Sequence, residues 1–553
     1  MKRKFRPQSL LLALVFALIS FSSTGQIPDL VQTDGIVHPL HKANIGRIRF
    51  MNGNIPLDQL KETDFLTSFL LKPASDLNIR VFLGNSITNY LHHLAPALTE
   101  EELNKNGNYQ FSFYVDGKFI YSENLHHGAG LHKSTTTTYR VPLTSTKGED
   151  WWAIYLWNRF MQNGGEKALT EGTHQLNIEL RPYLKLTELK VGELIASGEL
   201  TLTVKKPKAT AAEIAIQQIK PNSGWPVSKE QYHYKYIEAL NKSIAEYAFK
   251  EINSIVVIKN GKLLIEEYFN GANRETLYDT RSVGKSFTST LMGMAIRDGF
   301  IKNDTLSLKT FYPLSTFLHN STAKENTRIK DLLTMSSAFN GSDAISESPG
   351  NEENMYPADN WVKFALDLPM DSSKTNGGQW DYFTAGVILL GDILNKSVPG
   401  GLEKYAAEKL FEHLQISKYQ WQYTPQQVVN TAGGLQMSAL DYAKYGQLYK
   451  NKGVWNGKQV LPATWVEKTF TRYFEIPGRP NEFYGYLFWN KTYTVAGKNY
   501  EAYYCAGNGG SKIFIFKDLP FTIVITAKAY NRAYGHPQVD KMMQDYILPA
   551  VIQ

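Results

Sequence analysis

The chain is poor in cysteine: 553 residues contain one, Cys505. A lone cysteine excludes an intrachain disulfide framework and any zinc site built from paired cysteines. Excess charge is also small, with 59 Lys and Arg against 52 Asp and Glu, a net +7. Lys2, Arg3, Lys4 and Arg6 crowd the N-terminus, and setting them aside takes +7 to +3. A near-neutral remainder argues against a nucleic-acid partner. The chain has no internal repeat, no low-complexity tract and no apolar run of the roughly 20 residues that a spanning helix needs. The run from Leu10 to Phe21 is shorter, follows the basic start and precedes the small residues Ser23 and Gly25. That order is expected of a secretory signal peptide over residues 1–25, cut after Gly25. The residue after the cut is Gln26 and not a cysteine, so a lipid anchor is not expected, and the mature chain should be secreted or periplasmic with no transmembrane segment.

What is present is ordinary globular material, 43% hydrophobic and 13% aromatic, and its length predicts several domains with real cores. Residues 26–204 carry short alternating apolar segments, among them Tyr109 to Glu123 with Asp116-Gly117 as a two-residue hairpin signal. They are expected to form an all-β, sandwich-like domain. Residues 205–233 are polar with scattered Lys and Pro and are expected to be a linker containing a short helix. From residue 234 to 553 the texture is mixed. Ser254 to Phe269 reads as a hairpin turning at Asn260-Gly261, and Ser511 to Ala527 as a second. Between them Phe287, Leu291, Met294 and Ala295 recur at helical spacing, with Gly299 placed to end the helix. Strands at both ends with helices between predict one antiparallel sheet assembled from distant segments and flanked by helices.

Several chemical motifs fail on inspection. Gly284-Lys285-Ser286 lacks the glycine a P-loop needs, since Asp279 stands there. No serine is flanked by glycines two residues away on each side, and HExxH is absent. His126, His127 and His132 near Glu123 could ligate a metal, but they lie in a polar loop where solvated histidines are the commoner outcome. Ser-x-x-Lys occurs twice, at Ser282/Lys285 and Ser321/Lys324. The second pair lies in the polar stretch HNSTAKENTR, with no apolar face to bury a lysine. The first opens an amphipathic helix, where residues three apart share a face and hydroxyl and ammonium can meet. A serine at a helix N-terminus also brings backbone N–H groups to a developing oxyanion.

The surrounding segments add to this pair: RSVGKSFTS (281–289), IKDLLTMSSAF (329–339), WDYFTAGVILLGDIL (380–394), TAGGLQMSALDYAKYGQLYKNKGVWNGKQVL (431–461), YGYLFW (484–489) and AGNGGSKIFIF (506–516). In order and spacing, from Tyr236 to Leu548, they resemble serine hydrolases related to class C β-lactamases and penicillin-binding proteins, with the 6-aminohexanoate-dimer hydrolase-like branch nearest. The resemblance implies a β-lactamase/transpeptidase-like α/β domain, Ser282 as nucleophile, Lys285 as its partner and Tyr382 as the tyrosine of the Tyr-x-Asn element. Thr384 stands where that element has Asn, which puts β-lactam turnover in doubt. Gly507-Asn508-Gly509-Gly510 replaces the Lys/His-Thr/Ser-Gly element and brings no cation, which weakens the case for an anionic substrate. The N–H groups of Ser282 and Asn508 are expected to form the oxyanion hole, with Thr384, Gly507 and Gly509 at the substrate. Residues before 230 resemble no family.

The activity so implied is cleavage of a small ester, amide or peptide through an acyl-enzyme on Ser282, without a cofactor. Neither Lys nor Tyr is a base at its ordinary pKa, near ~10.4 and ~10, so the two must titrate as a coupled pair, and which of them takes the serine proton stays open. A different class of reading is an inactive hydrolase fold that works with the N-terminal β domain to bind cell-wall glycan or a surface partner. Cys505 is expected to be a small buried hydrophobe.

Overall fold

The structure is a computed structural model that describes residues 27–72, 75–126, 135–144 and 151–552. The expected signal peptide lies outside the described residues, as do His127 and His132. Among the described residues no helix is long and apolar enough to cross a membrane.

The N-terminal region is built on one ten-stranded sheet. Its main strands are β1 (Arg47–Asn52), β2 (Leu77–Phe82), β3 (Gly107–Val115), β4 (Lys118–Asn124), β5 (Thr138–Thr144), β6 (Gly172–Lys185) and β7 (Ala196–Val204). They run in the order β4-β3-β6-β7-β1-β2-β5, and β3 and β4 are joined at Asp116-Gly117, both with positive φ. The sandwich expectation therefore needs correction. The strands join one connected sheet, and helices α1 (Ile87–Leu94) and α2 (Trp151–Phe160) supply apolar cover. Ile87, Leu91, Leu156, Trp157 and Phe160 share a core cluster with Phe111, Phe113, Ile178 and Leu180 of β3 and β6, and the Phe160 ring stacks on Phe113 at 4.5 Å. Alternation along a strand reports only that one face is buried; it does not say whether a helix or a second sheet does the burying.

The C-terminal region has one antiparallel eight-stranded sheet. Here β8 (Ile252–Lys259) and β9 (Lys262–Tyr268) join β10 (Trp489–Val495), β11 (Lys498–Ala506), β12 (Lys512–Phe516) and β13 (Phe521–Ala527), in the order β9-β8-β13-β12-β11-β10. The hairpin β8–β9 thus pairs with strands more than 200 residues later, Val256 opposite Val524. Both faces are covered, which is why β8 is apolar without alternation from Ile255 to Ile258. Ile255 and Val257 face a core with Ile237, Leu240 and Ile244 of α3 (Tyr234–Ala245). Val256 and Ile258 face the larger core of α4 (Val283–Arg297), α5 (Thr384–Ser397) and α6 (Ala439–Lys450). The stretch expected to be a linker is docked along this unit. It holds a short helix, Ala211–Ile214, and Trp225 is buried against Trp455 at 5.8 Å.

Because the Phe160 ring is part of the N-terminal core, Phe160→Ala should cost about 3–5 kcal/mol. A lower melting midpoint for the N-terminal region would be seen by calorimetry; an unchanged one would contradict helix-on-sheet packing.

Candidate functional site

The turn that carries Ser282 is held from three sides. Tyr278–Asp279 pairs with Leu435–Met437 as a short antiparallel bridge. On one flank, a Cβ on Gly433 would lie 2.9 Å from the Arg281 carbonyl; on the other, a Cβ on Gly507 would lie 2.5 Å from the Thr280 carbonyl oxygen and 3.5 Å from the Ser282 nitrogen. Only glycine permits both approaches. Arg281 itself has φ +46°, a left-handed conformation that costs about 1–2 kcal/mol and turns the chain abruptly into α4. Asp279 Oδ1 accepts the Arg281 N–H at 2.8 Å, and the Arg281 guanidinium lies 4.4 Å over the Tyr530 ring.

Ser282 occupies the N-cap of α4 without making the usual side-chain cap bond. Its Oγ instead accepts from Lys285 Nζ at 2.8 Å, and the same ammonium donates to Ala432 O at 2.9 Å. Lys285 is 2% exposed. Tyr382, 100 residues on by number and half-buried, places its ring centroid 5.2 Å from Lys285 Nζ, and the Ser282 side chain acts to lower the pKa of its phenol. Burial raises the Tyr382 phenol above its ordinary value; Lys285 and Ser282 offset only part of that, and Asp343 and Glu352 add to it. Lys285 does lower this phenol, but desolvation outweighs the cation. The Tyr382 ring lies in an aromatic group, 5.7 Å from Trp489 and 6.2 Å from Trp380.

Sequence reasoning missed Asp343. Its N–H donates to Tyr382 O (2.8 Å), its Oδ2 accepts from Thr384 N (2.8 Å), and its Oδ1 accepts from Glu352 N (2.9 Å). One aspartate thus fixes both neighbours of Phe383, Tyr382 through its backbone N–H and Thr384 through its carboxylate, and ties the tyrosine loop to the turn at Glu352. Nothing in the pattern GSDAISESPG marks this aspartate among 52 acidic residues; only the fold brings it to Tyr382. Thr384 is 1% exposed and is engaged by Asp343 at the start of α5.

The edge segment after β11 brings Asn508 to the same place. Among the described residues, neither the Ser282 N–H nor the Asn508 N–H donates to a protein acceptor. Asn508 is anchored by a reciprocal amide pair: its Nδ2 donates to Asn531 Oδ1 (2.6 Å), and Asn531 N donates to its Oδ1 (2.8 Å). Gly507 and Gly509 are buried. Gly509 has φ +96°, and a Cβ there would lie 2.7 Å from the Tyr530 ring, so both glycines shape the segment by close packing.

The rejected pair Ser321/Lys324 is structural, though not for the reason its sequence suggested. Lys324 is fully buried, donating to Leu318 O (2.8 Å) and Leu366 O (2.6 Å), while Ser321 caps a short helix. His126 is hydrogen-bonded to Asn354, and burial lowers its imidazole pKa. Cys505 is buried, and desolvation raises its thiol pKa.

The family model described as Beta-lactamase matches residues 248–542, more than half of the chain. The chain belongs to the β-lactamase family. A curated relative, an uncharacterized protein of Alkalihalophilus pseudofirmus, is 21% identical over 239 residues, which cover 38% of this chain and 62% of the relative. The chain thus spans less than two thirds of that relative's length. Among solved structures, a putative 6-aminohexanoate-dimer hydrolase from Bacillus anthracis matches at TM-score 0.48 and 18% identity, over 62% of this chain and 89% of that one. A putative beta-lactamase from Bacteroides dorei matches at 0.47 and 16%, over 57% and 99%. A D-stereospecific amidohydrolase from Streptomyces matches at 0.43 and 15%, over 53% and 93%. The family assignment rests on the matched model and covers the C-terminal, β-lactamase-like region.

Burial and the Glu352 carboxylate push the Asp343 carboxyl up to about 7, with Thr384 and Lys285 opposing; its ordinary value is near ~4. The folded protein therefore holds this proton more tightly than the unfolded chain. The stability it contributes is full below about pH 4 and is lost as pH rises through about 7. Asp343→Asn should sacrifice one N–H acceptor, about 1 kcal/mol, but flatten the fall in melting temperature between about pH 4 and 7. A slope identical to wild type would contradict the environment described for Asp343.

Proposed function

We propose that this β-lactamase-family protein is a serine hydrolase that cleaves an ester or amide through an acyl-enzyme on Ser282. The observation that carries the reading is the contact between Lys285 Nζ and Ser282 Oγ at 2.8 Å, with the Tyr382 ring 5.2 Å from the same ammonium. Ser282 Oγ attacks the substrate carbonyl and its proton passes to the Lys285/Tyr382 pair. The oxyanion takes N–H donors from Ser282 and Asn508, and the leaving group departs with the transferred proton. Water then repeats the sequence on the acyl-enzyme and restores the serine. The pair must shed one proton before it can act as base, so the poise belongs to both groups together, and the acylation rate should rise with pH until that proton is lost.

Substrates without a carboxylate at the reacting end fit best. The segment Gly507–Gly510 has no cation, and the nearby Lys512 is 2% exposed with its Nζ held by Asp540 at 2.6 Å. Hence an esterase- or amidase-like activity is favoured over efficient β-lactamase. The basic and apolar start of the chain supports export, with a mature form beginning at Gln26.

Fluorophosphonate labelling should modify wild type and leave Ser282→Ala unlabelled. Lys285→Ala and Tyr382→Phe should each slow acylation by p-nitrophenyl acetate by about 10²–10⁴-fold, measured in the burst phase. Undiminished acylation in both variants would sink the proposed base.

A further inference from the structure

The role of the N-terminal region can be read from where it touches the hydrolase site. Helix α2 is fixed in the N-terminal core by Trp157 and Phe160, both buried. The two residues between them, Asn158 and Arg159, leave that core and reach the C-terminal region in two different directions. Arg159 pairs with Glu123 of its own sheet and, through Nη2, with Glu353 Oε1 at 2.8 Å. Glu353 sits on the helical turn Glu352–Met355, and the first residue of that turn donates its N–H to Asp343 at 2.9 Å. Asp343 in turn holds the Tyr382 carbonyl and the Thr384 N–H.

Asn158 reaches the opposite wall. Its Nδ2 donates to Tyr530 O at 2.6 Å, and its carbonyl accepts from Arg532 Nη1 at 3.1 Å. These two residues bracket Asn531, whose amide pairs with Asn508. The Tyr530 ring packs under the Arg281 guanidinium, next to Ser282. One side of the site is thus tied to Arg159 and the other to Asn158. Other contacts between the regions include the His126–Asn354 hydrogen bond and the surface ion pair of Lys185 with Glu347 at 3.3 Å, both of whose side chains are more than 60% exposed.

We propose that Asn158 and Arg159 are positioning residues for the hydrolase site: Arg159 steadies the Tyr382 loop through Glu353 and Asp343, and Asn158 steadies the Asn508 segment through Tyr530 and Arg532. The N-terminal region is then a brace that holds general base and oxyanion donors at a set separation. The inference rests on the roles proposed above for Ser282, Tyr382 and Asn508. Each link is a short run of hydrogen bonds joined through one step between adjacent residues, and a misplacement of about 1 Å in such groups can cost up to ~10²-fold in rate.

The test uses the full-length chain and the burst of p-nitrophenol released on acylation. Arg159→Met keeps the aliphatic stem and should slow acylation about tenfold, chiefly in the rate constant and not in KM, and move the pH profile of that step because the Tyr382 loop shifts. Arg159→Lys should recover part of the rate. Asn158→Ala should slow acylation by a similar factor with the pH profile unmoved, since its wall carries no base. Lys185→Ala, which removes a surface pair between the same regions, should leave the rate unchanged. Should the Arg159 variants fail to fold, Glu353→Gln reads the same link from the other side while leaving Arg159 paired to Glu123. The inference is overturned if Asn158→Ala and Glu353→Gln acylate within about twofold of wild type with unchanged pH profiles. Failure of wild type to acylate at Ser282 would instead defeat the proposed function.

Discussion

The arrangement around Ser282 depends on one buried ammonium. An isolated lysine cation is costly to remove from water unless donors find acceptors, and Lys285 has three N–H groups to place. Two acceptors are Ser282 Oγ and Ala432 O, and the face of the Tyr382 ring lies 5.2 Å from the nitrogen. These come from the start of α4, the loop before Leu435–Met437 and the loop before α5. Satisfying a single cation therefore converges three distant segments on the serine. The interactions that make the lysine tolerable are the ones that leave its proton network in contact with a hydroxyl.

Holding that network in register requires backbone to pass unusually close to backbone. Gly433 and Gly507 flank the Thr280–Ser282 turn where any side chain would collide, and Arg281 adopts a conformation that costs energy. Such strain persists only where surrounding structure over-determines it. Here the surroundings are the bridge to Leu435–Met437, the Arg281–Tyr530 stack and the glycine-rich edge segment. The same logic explains Asp343: a carboxylate with both oxygens committed to N–H groups can clamp a loop, even though burial and the Glu352 charge raise its pKa.

Part of this was legible in the order of residues. Ser282 and Lys285 share a helical face because three residues span nearly one turn, and the apolar spacing of Phe287, Leu291 and Met294 marks the helix as one packed into a core. The turns Asp116-Gly117 and Asn260-Gly261 announce their hairpins because positive φ is cheap there. Other features were not legible. Ser321/Lys324 has the same local signature as the first pair, and only burial against the carbonyls of Leu318 and Leu366 assigns it to structure. Residues 205–233 look like a linker by composition, yet Trp225 finds an apolar partner in Trp455.

Local spacing determined that Ser282 and Lys285 could meet on one helix face, because helix geometry acts over three or four residues and is insensitive to the rest of the chain. Family resemblance in the order of motifs pointed to the tyrosine. Tertiary structure alone decided which carboxylate would support that tyrosine, what covers the N-terminal sheet and where that sheet touches the site. Asp343 and Tyr382, or Asn158 and Tyr530, become neighbours only through packing of elements that are far apart in sequence, and no periodicity along the chain records such a contact.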